Sequence, residues 1–341
     1  MPRIAATVLA LVALGTRSTA APAGAAKEEE VRFQSGSVTL SGTLFLPALS
    51  GPRPAVVLVH GSGDAPREPL RKFAQRFAAD GLAALIYDKR GSGRSEGSWV
   101  RASLDDLASD VLAAARFLKG RPEVDASRIG AWGISQGGWV VPRAVALQPG
   151  ALSFVIVVTG GAIRPADVER NDYAARLDSA QVGKDEKRRG LALVDRYLDY
   201  LATGKDREGL ERALRESADQ PAGRVLQLER VLPPPDGWNN WSWVPTYDPA
   251  ADLRGLAMPA LVILGGQDRP ALAPQARTRW IDGLAAAGNK DATVIELVGA
   301  GHGANVAGTH HHGGAPPAFV PGYLELVDAW TASHLAGAAR P

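Results

Sequence analysis

The chain has 341 residues, 38 lysines and arginines against 36 acids, a formal charge of +2, and no cysteine. That length can bury a sizeable core as one large α/β domain with an insertion or as two smaller domains. The missing cysteines exclude a disulfide framework, a thiol nucleophile, a cysteine-based zinc site and a lipidated N-terminal cysteine.

Residues 1–20 contain Arg3, the apolar run IAATVLALVALG and the small-residue sequence Ser18-Thr19-Ala20. They are expected to be a cleaved secretory signal peptide, which implies a periplasmic or secreted bacterial protein. The run is well short of the roughly twenty apolar residues that span a bilayer, and no later segment reaches that length without charges. No integral membrane segment is therefore expected after cleavage. Cleavage would remove Arg3 and Arg17 and no acid, leaving no formal charge and no electrostatic footprint for nucleic acid.

Residues 31–47 (VRFQSGSVTLSGTLFLP) alternate apolar and polar around Ser35-Gly36 and Ser41-Gly42. This predicts half-buried antiparallel strands with tight turns at both dipeptides. Six nearly continuous apolar runs follow: AVVLVH, LAALIYD, RIGAWGI, FVIVVTG, ALVILGG and TVIELVG. Such runs are typical of strands buried on both faces. Amphipathic segments such as EPLRKFAQRFAADG, SLDDLASDVLAAARFLKG and PQARTRWIDGLAAAG separate most of them, with Ser103 and Asp106 spaced as an N-cap and its partner. The alternation predicts an α/β fold with a doubly wound, mostly parallel sheet, and functional residues at the carboxyl ends of the strands.

Two G-x-S-x-G patterns occur, Gly93–Gly97 around Ser95 and Gly133–Gly137 around Ser135. A nucleophile elbow needs a strand ending at the serine and a helix starting directly after it. Ser135 has both, RIGAWGI before and QGGWVVPRAVALQ after. Ser95 stands seven residues past Asp88, where its strand ends, and is expected in a loop.

About a hundred residues between FVIVVTG and ALVILGG lack a buried strand. A structureless loop of that length is implausible, so residues 163–252 are expected to form an inserted helical cap, with residues 27–162 and 253–341 as the core. Trp238, Trp241, Trp243 and Tyr247 crowd into its last part, as a substrate-binding wall or as the cap's own core. Beyond the insertion, Asp268 follows one strand in LGGQDRP and His302 follows the last in VGAGHGAN. Serine is a weak nucleophile without a histidine base and an acid that orients it, and Ser135, Asp268 and His302 come in the order that the elbow architecture demands. The backbone N–H groups of Ser62, in His60-Gly61-Ser62-Gly63, and of Gln136 are the expected oxyanion hole. His60 is expected to be structural, hydrogen-bonded beneath that loop. The run His310-His311-His312 is weak as a metal site, because consecutive side chains rarely converge on one ion. No metal or cofactor is expected.

HGSG, YDKRGSGRSEG, GISQGG, GGQD and GAGH, in this order and spacing over residues 55–335, resemble the α/β-hydrolase superfamily. Within it they look like the capped serine hydrolases: esterases, dienelactone-hydrolase-like and serine aminopeptidase-like proteins. The resemblance implies that the loop from Asp88 to Ser95 is a scaffold buttressing the oxyanion strand. It also implies acyl transfer to water through an acyl-enzyme, with a small-to-medium carboxylic ester as first substrate. A peptidase or amidase, a thioesterase or lactonase, and a non-catalytic binding protein on the same fold are the other readings.

Overall fold

The computed structural model describes residues 5–7, 26–268, 272–306 and 318–335. The expected signal peptide falls largely, and His310, His311 and His312 wholly, outside them. The strands are β1 (Ala5–Thr7), β2 (Lys27–Ser35), β3 (Val38–Leu46), β4 (Arg53–Val59), β5 (Ala83–Tyr87), β6 (Val124–Ile134), β7 (Val155–Val158), β8 (Ala260–Gly265) and β9 (Ala292–Leu297). They form one sheet in the order β1-β9-β8-β7-β6-β4-β5-β3-β2. β2 and β3 form a hairpin, β3 runs antiparallel to β5, and every other pairing is parallel.

The expected turn at Ser41-Gly42 is not there. β3 runs straight through it, with Gly42 opposite Val31 on one side and Tyr87 on the other. A Cβ at Gly42 would stand 2.6 Å from the carbonyl oxygen of Ile86, so the glycine serves close approach of β5 rather than a turn.

The helices flanking the sheet are α1 (Arg71–Ala79), α2 (Leu104–Lys119) and α3 (Gly137–Leu147), then, after a long helical segment, α10 (Ala273–Ala286) and α11 (Tyr323–His334). The intervening helices are α4 (Pro165–Ser179), α5 (Lys184–Thr203), α6 (Arg207–Ser217), α7 (Pro221–Leu226), α8 (Trp243–Thr246) and α9 (Ala250–Leu253). Side chains alternate along each strand and so build two cores. Val57 and Val59 of β4 face Val111 of α2, Val141 of α3 and Trp280 of α10, while Val56 and Leu58 face Phe77 of α1 and Trp330 of α11. α2 starts in a capping box, with Ser103 and Asp106 each accepting from the other's backbone N–H. The segment between β7 and β8 has a core of its own, in which Leu177, Val194, Leu201, Leu210 and Leu226 are buried together. No helix among the described residues is long and apolar enough to cross a membrane.

The sheet winds outward in both directions from β4, to β5 on one side and β6 on the other. Ligands bind such sheets in the crevice at the carboxyl ends of the strands where winding reverses. The loop carrying Ser62 and the turn carrying Ser135 leave the sheet there side by side, since Val59 pairs with Gly133.

Candidate active site

Ser135 stands between the end of β6 and the start of α3 with φ of 55°, a left-handed conformation. Such a backbone costs a non-glycine residue about 1–3 kcal/mol and persists only where its surroundings over-determine it. Here the Ser135 N–H donates to Val158 O at 3.0 Å, and its carbonyl accepts from Gly138 N at 2.8 Å. A Cβ at Gly160 would lie 2.3 Å from that same carbonyl, and one at Gly133 would lie 2.6 Å from Gly137 O. The turn is sharp because glycines on both sides let backbone touch backbone.

His302 joins the serine to an acid. Its Nε2 lies 2.9 Å from Ser135 Oγ and its Nδ1 lies 2.8 Å from Asp268 Oδ2. Asp268 is buried, whereas His302 is half exposed. Surrounding protein works to lower the His302 pKa, but the Asp268 hydrogen bond and charge, with a smaller pull from Asp172 of α4, outweigh it and raise it above 6.5. The histidine loop is tied down on both sides. Gly303 N–H donates to Thr159 Oγ1 at 3.0 Å, and Asn305 Nδ2 donates to His302 O at 2.9 Å.

Gly61 passes so close to the turn that a Cβ there would be 3.3 Å from Ser135 Cβ. Ser62 and Gln136 both line an open cleft next to Ser135, which like His302 is not itself among the residues lining it. His60 is buried edge-on against Tyr87, 4.9 Å between ring centres. The hydrogen bond expected for it is absent, for neither ring nitrogen has a partner among the described residues. Burial and the nearby Lys89 charge push its pKa well below the ordinary histidine value, so it is neutral.

Ser95 is far from this chemistry in role. Its Oγ donates to Asp88 O at 2.7 Å and accepts from Ser41 N at 2.9 Å. The Asp88 carboxylate in turn accepts from the backbone N–H groups of Arg67, at 2.8 Å, and Arg94, at 2.9 Å. The hydroxyl is thus committed to bracing β3 against the loop after β5.

Of the four aromatic residues expected to bind substrate, Trp241 and Trp243 line the cleft. Trp238 instead packs on Tyr200 and so close to Gly204 that a Cβ there would be 2.5 Å from its ring. Tyr247 packs edge-to-face on Trp243, with its hydroxyl donating to Asp252 Oδ2 at 2.7 Å. Neither is among the residues lining the cleft. The lining residues that sequence reasoning missed include Lys89, Trp99, Trp139 and Glu169. Trp99 meets Trp241, and Trp139 meets Trp243, each edge-to-face at 6.3 Å. Desolvation, reinforced by Asp172, pushes the Glu169 carboxyl up to about 7. Burial pulls the Lys89 ammonium down to about 7 against the attraction of Asp64 and Asp110. No group of histidines and carboxylates among the described residues could hold a metal ion.

Residues 50–181 match the family model described as serine aminopeptidase, S33. The chain is 37% identical over 111 residues to the quorum-quenching protein AidA of Acinetobacter baumannii, covering 32% of this chain and 36% of that protein. It is 32% identical over 217 residues to thiohydrolase apmlB of Arthrinium phaeospermum, covering 60% of this chain and 64% of that protein. The matched part is under two thirds of the length of either relative. Among solved structures it resembles the α/β hydrolase GrgF from Penicillium sp. sh18, with a TM-score of 0.59 at 20% identity, covering 91% of this chain and all of that one. At that identity the likeness is one of fold, and the fold is that of the α/β hydrolases.

Proposed function

We propose that this chain, a member of the α/β-hydrolase superfamily by its fold and motif order, is a serine hydrolase that cleaves small-to-medium carboxylic esters through an acyl-enzyme. The observation that carries the proposal is the continuous relay from Asp268 through His302 to a serine held at φ 55°. With Asp268 accepting from Nδ1–H, the imidazole keeps the tautomer whose Nε2 can take a proton. His302 removes the Ser135 proton as Oγ adds to the substrate carbonyl, and the developing oxyanion is met by the N–H groups of Ser62 and Gln136. Collapse of the tetrahedral intermediate expels the alcohol, which takes the proton from His302. Water, activated by the same base, then attacks the acyl-enzyme and releases the acid. Residues 163–252 act as a cap whose Trp241 and Trp243, with Trp99 and Trp139 from the core, form the acyl wall.

Thioesters are the second substrate class, because the match that covers 60% of the chain is to a protein named thiohydrolase. We further propose that residues 1–20 are removed on export, and with them the edge strand β1, which leaves β2–β9 as the sheet of the mature chain. The test is a screen of the purified protein against p-nitrophenyl esters of graded acyl length, acyl thioesters and aminoacyl p-nitroanilides. Turnover of esters with anilides inert supports the first reading. Faster thioester turnover moves the assignment to the second, and anilide hydrolysis alone overturns both.

A further inference from the structure

Lys89 follows Asp88 in the loop after β5 and takes no part in the relay from Asp268 to Ser135. It is only 2% exposed. Its Nζ donates to Gly61 O at 2.6 Å, Gly63 O at 3.1 Å and Gln136 Oε1 at 2.9 Å. An ammonium has three N–H donors, so this set uses all of them. The acceptors come from two separate elements: the loop after β4, and the residue that follows Ser135 in the turn after β6. Those two elements carry the two N–H groups assigned to the oxyanion.

A peptide group is planar and trans, so the carbonyl of Gly61 and the N–H of Ser62 point in opposite directions. With the Gly61 carbonyl held onto Lys89, the Ser62 N–H is held facing away from it. The Gly63 carbonyl, one peptide further on, is pinned by the same ammonium, so the loop cannot rotate about Ser62 without breaking a charge-assisted hydrogen bond. The third donor reaches across to Gln136 and links this loop to the nucleophile turn.

From this geometry we infer that Lys89 is a positioning residue of the oxyanion hole, holding the Ser62 and Gln136 N–H groups in register through the Gly61 and Gly63 carbonyls and the Gln136 side chain. The inference rests on the serine-hydrolase reading above. A preorganised donor pair needs no rearrangement when charge develops, which is why its loss falls on the transition state more than on substrate binding.

The test compares wild type with Lys89→Met and Lys89→Gln in three measurements: melting temperature, kcat and KM for p-nitrophenyl acetate, and affinity for a trifluoromethyl ketone, which adds to serine as a tetrahedral oxyanion. In Lys89→Met, kcat falls on the order of tenfold or more, short of the roughly 10²–10³ lost when an oxyanion donor is deleted outright. KM stays within about threefold, and ketone affinity falls in step with kcat/KM. Lys89→Gln keeps two N–H donors and lies between the two in both quantities. If Lys89→Met does not fold, Lys89→Gln alone decides. A folded variant with wild-type kcat and ketone affinity overturns the inference, as does a loss confined to melting temperature or to KM. A wild type that neither turns over ester nor binds the ketone refutes the serine-hydrolase reading instead.

Discussion

Thr159 Oγ1 accepts a 3.0 Å hydrogen bond from the backbone N–H of Gly303, the residue that follows His302. Thr159 adopts φ of 49°, costly for a β-branched side chain, directly after β7. Its N–H donates to Ile263 O of β8 at 2.8 Å, so it holds three elements of the site together. Thr159→Val keeps the shape and removes the acceptor, leaving the Gly303 N–H unpaired at a cost of about 1–3 kcal/mol. The expected result is a lowered melting temperature and a kcat/KM reduced roughly tenfold, since displacement of a catalytic base weakens each proton transfer. Thr159→Ser retains the hydroxyl and should keep activity near wild type. Equal activity in all three proteins would remove Thr159 from the account.

His302 must be neutral to accept the Ser135 proton, so activity rises as pH climbs through its pKa. Asp268 holds that pKa above the ordinary histidine value of 6.5. In acid, kcat/KM should therefore fall about tenfold per pH unit below an apparent pKa that lies above 6.5. Asp268→Asn weakens the hydrogen bond and removes the charge that raise the pKa, so its residual activity should titrate at lower pH, with kcat reduced by roughly 10⁴. A flat profile from about pH 5 to 8 with acylation limiting contradicts a histidine base.

The aromatic residues of the helical segment divide by position, and a chain-length profile reads the division. Trp241 lines the cleft and donates its Nε1–H to Val100 O, next to its edge-to-face partner Trp99. Trp241→Ala should change the ratio of kcat/KM between long and short acyl esters roughly tenfold, the equivalent of about 1.4 kcal/mol of lost contact. Trp238→Ala, which empties space over Gly204 and Tyr200, should lower the melting temperature and affect every ester in proportion. The reverse pattern would show that the acyl wall lies elsewhere.

What was legible in the sequence was whatever depends on neighbours in the chain. A strand, a serine and a helix without a gap placed Ser135 on a sharp turn. A glycine-rich loop after a strand placed Asp268 and His302 at the same end of the sheet. The Ser103 cap was readable for the same reason. What depends on tertiary approach was not. Trp238 and Trp241 stand three residues apart with nothing local to say which faces the cleft. Gly42 read as a turn because the close passage of β5 is invisible along the chain. Lys89 looked like one residue of a scaffold loop, since the carbonyls it binds lie 26 and 28 residues earlier. Trp139 and Glu169 sit on helices whose rotation over the site is set by packing, not by pattern.

The two G-x-S-x-G patterns permit the most direct test of the central claim, that Ser135 is the nucleophile. The purified protein, Ser135→Ala and Ser95→Ala are treated with a fluorophosphonate, and the modified peptide is mapped by mass spectrometry. The wild type should carry one adduct, on Ser135, and Ser135→Ala should carry none. Ser95→Ala should lose stability by about 1–3 kcal/mol, because Asp88 O and Ser41 N lose their partner, yet label at Ser135 as the wild type does. An adduct on Ser95, or undiminished labelling of Ser135→Ala, would contradict the account.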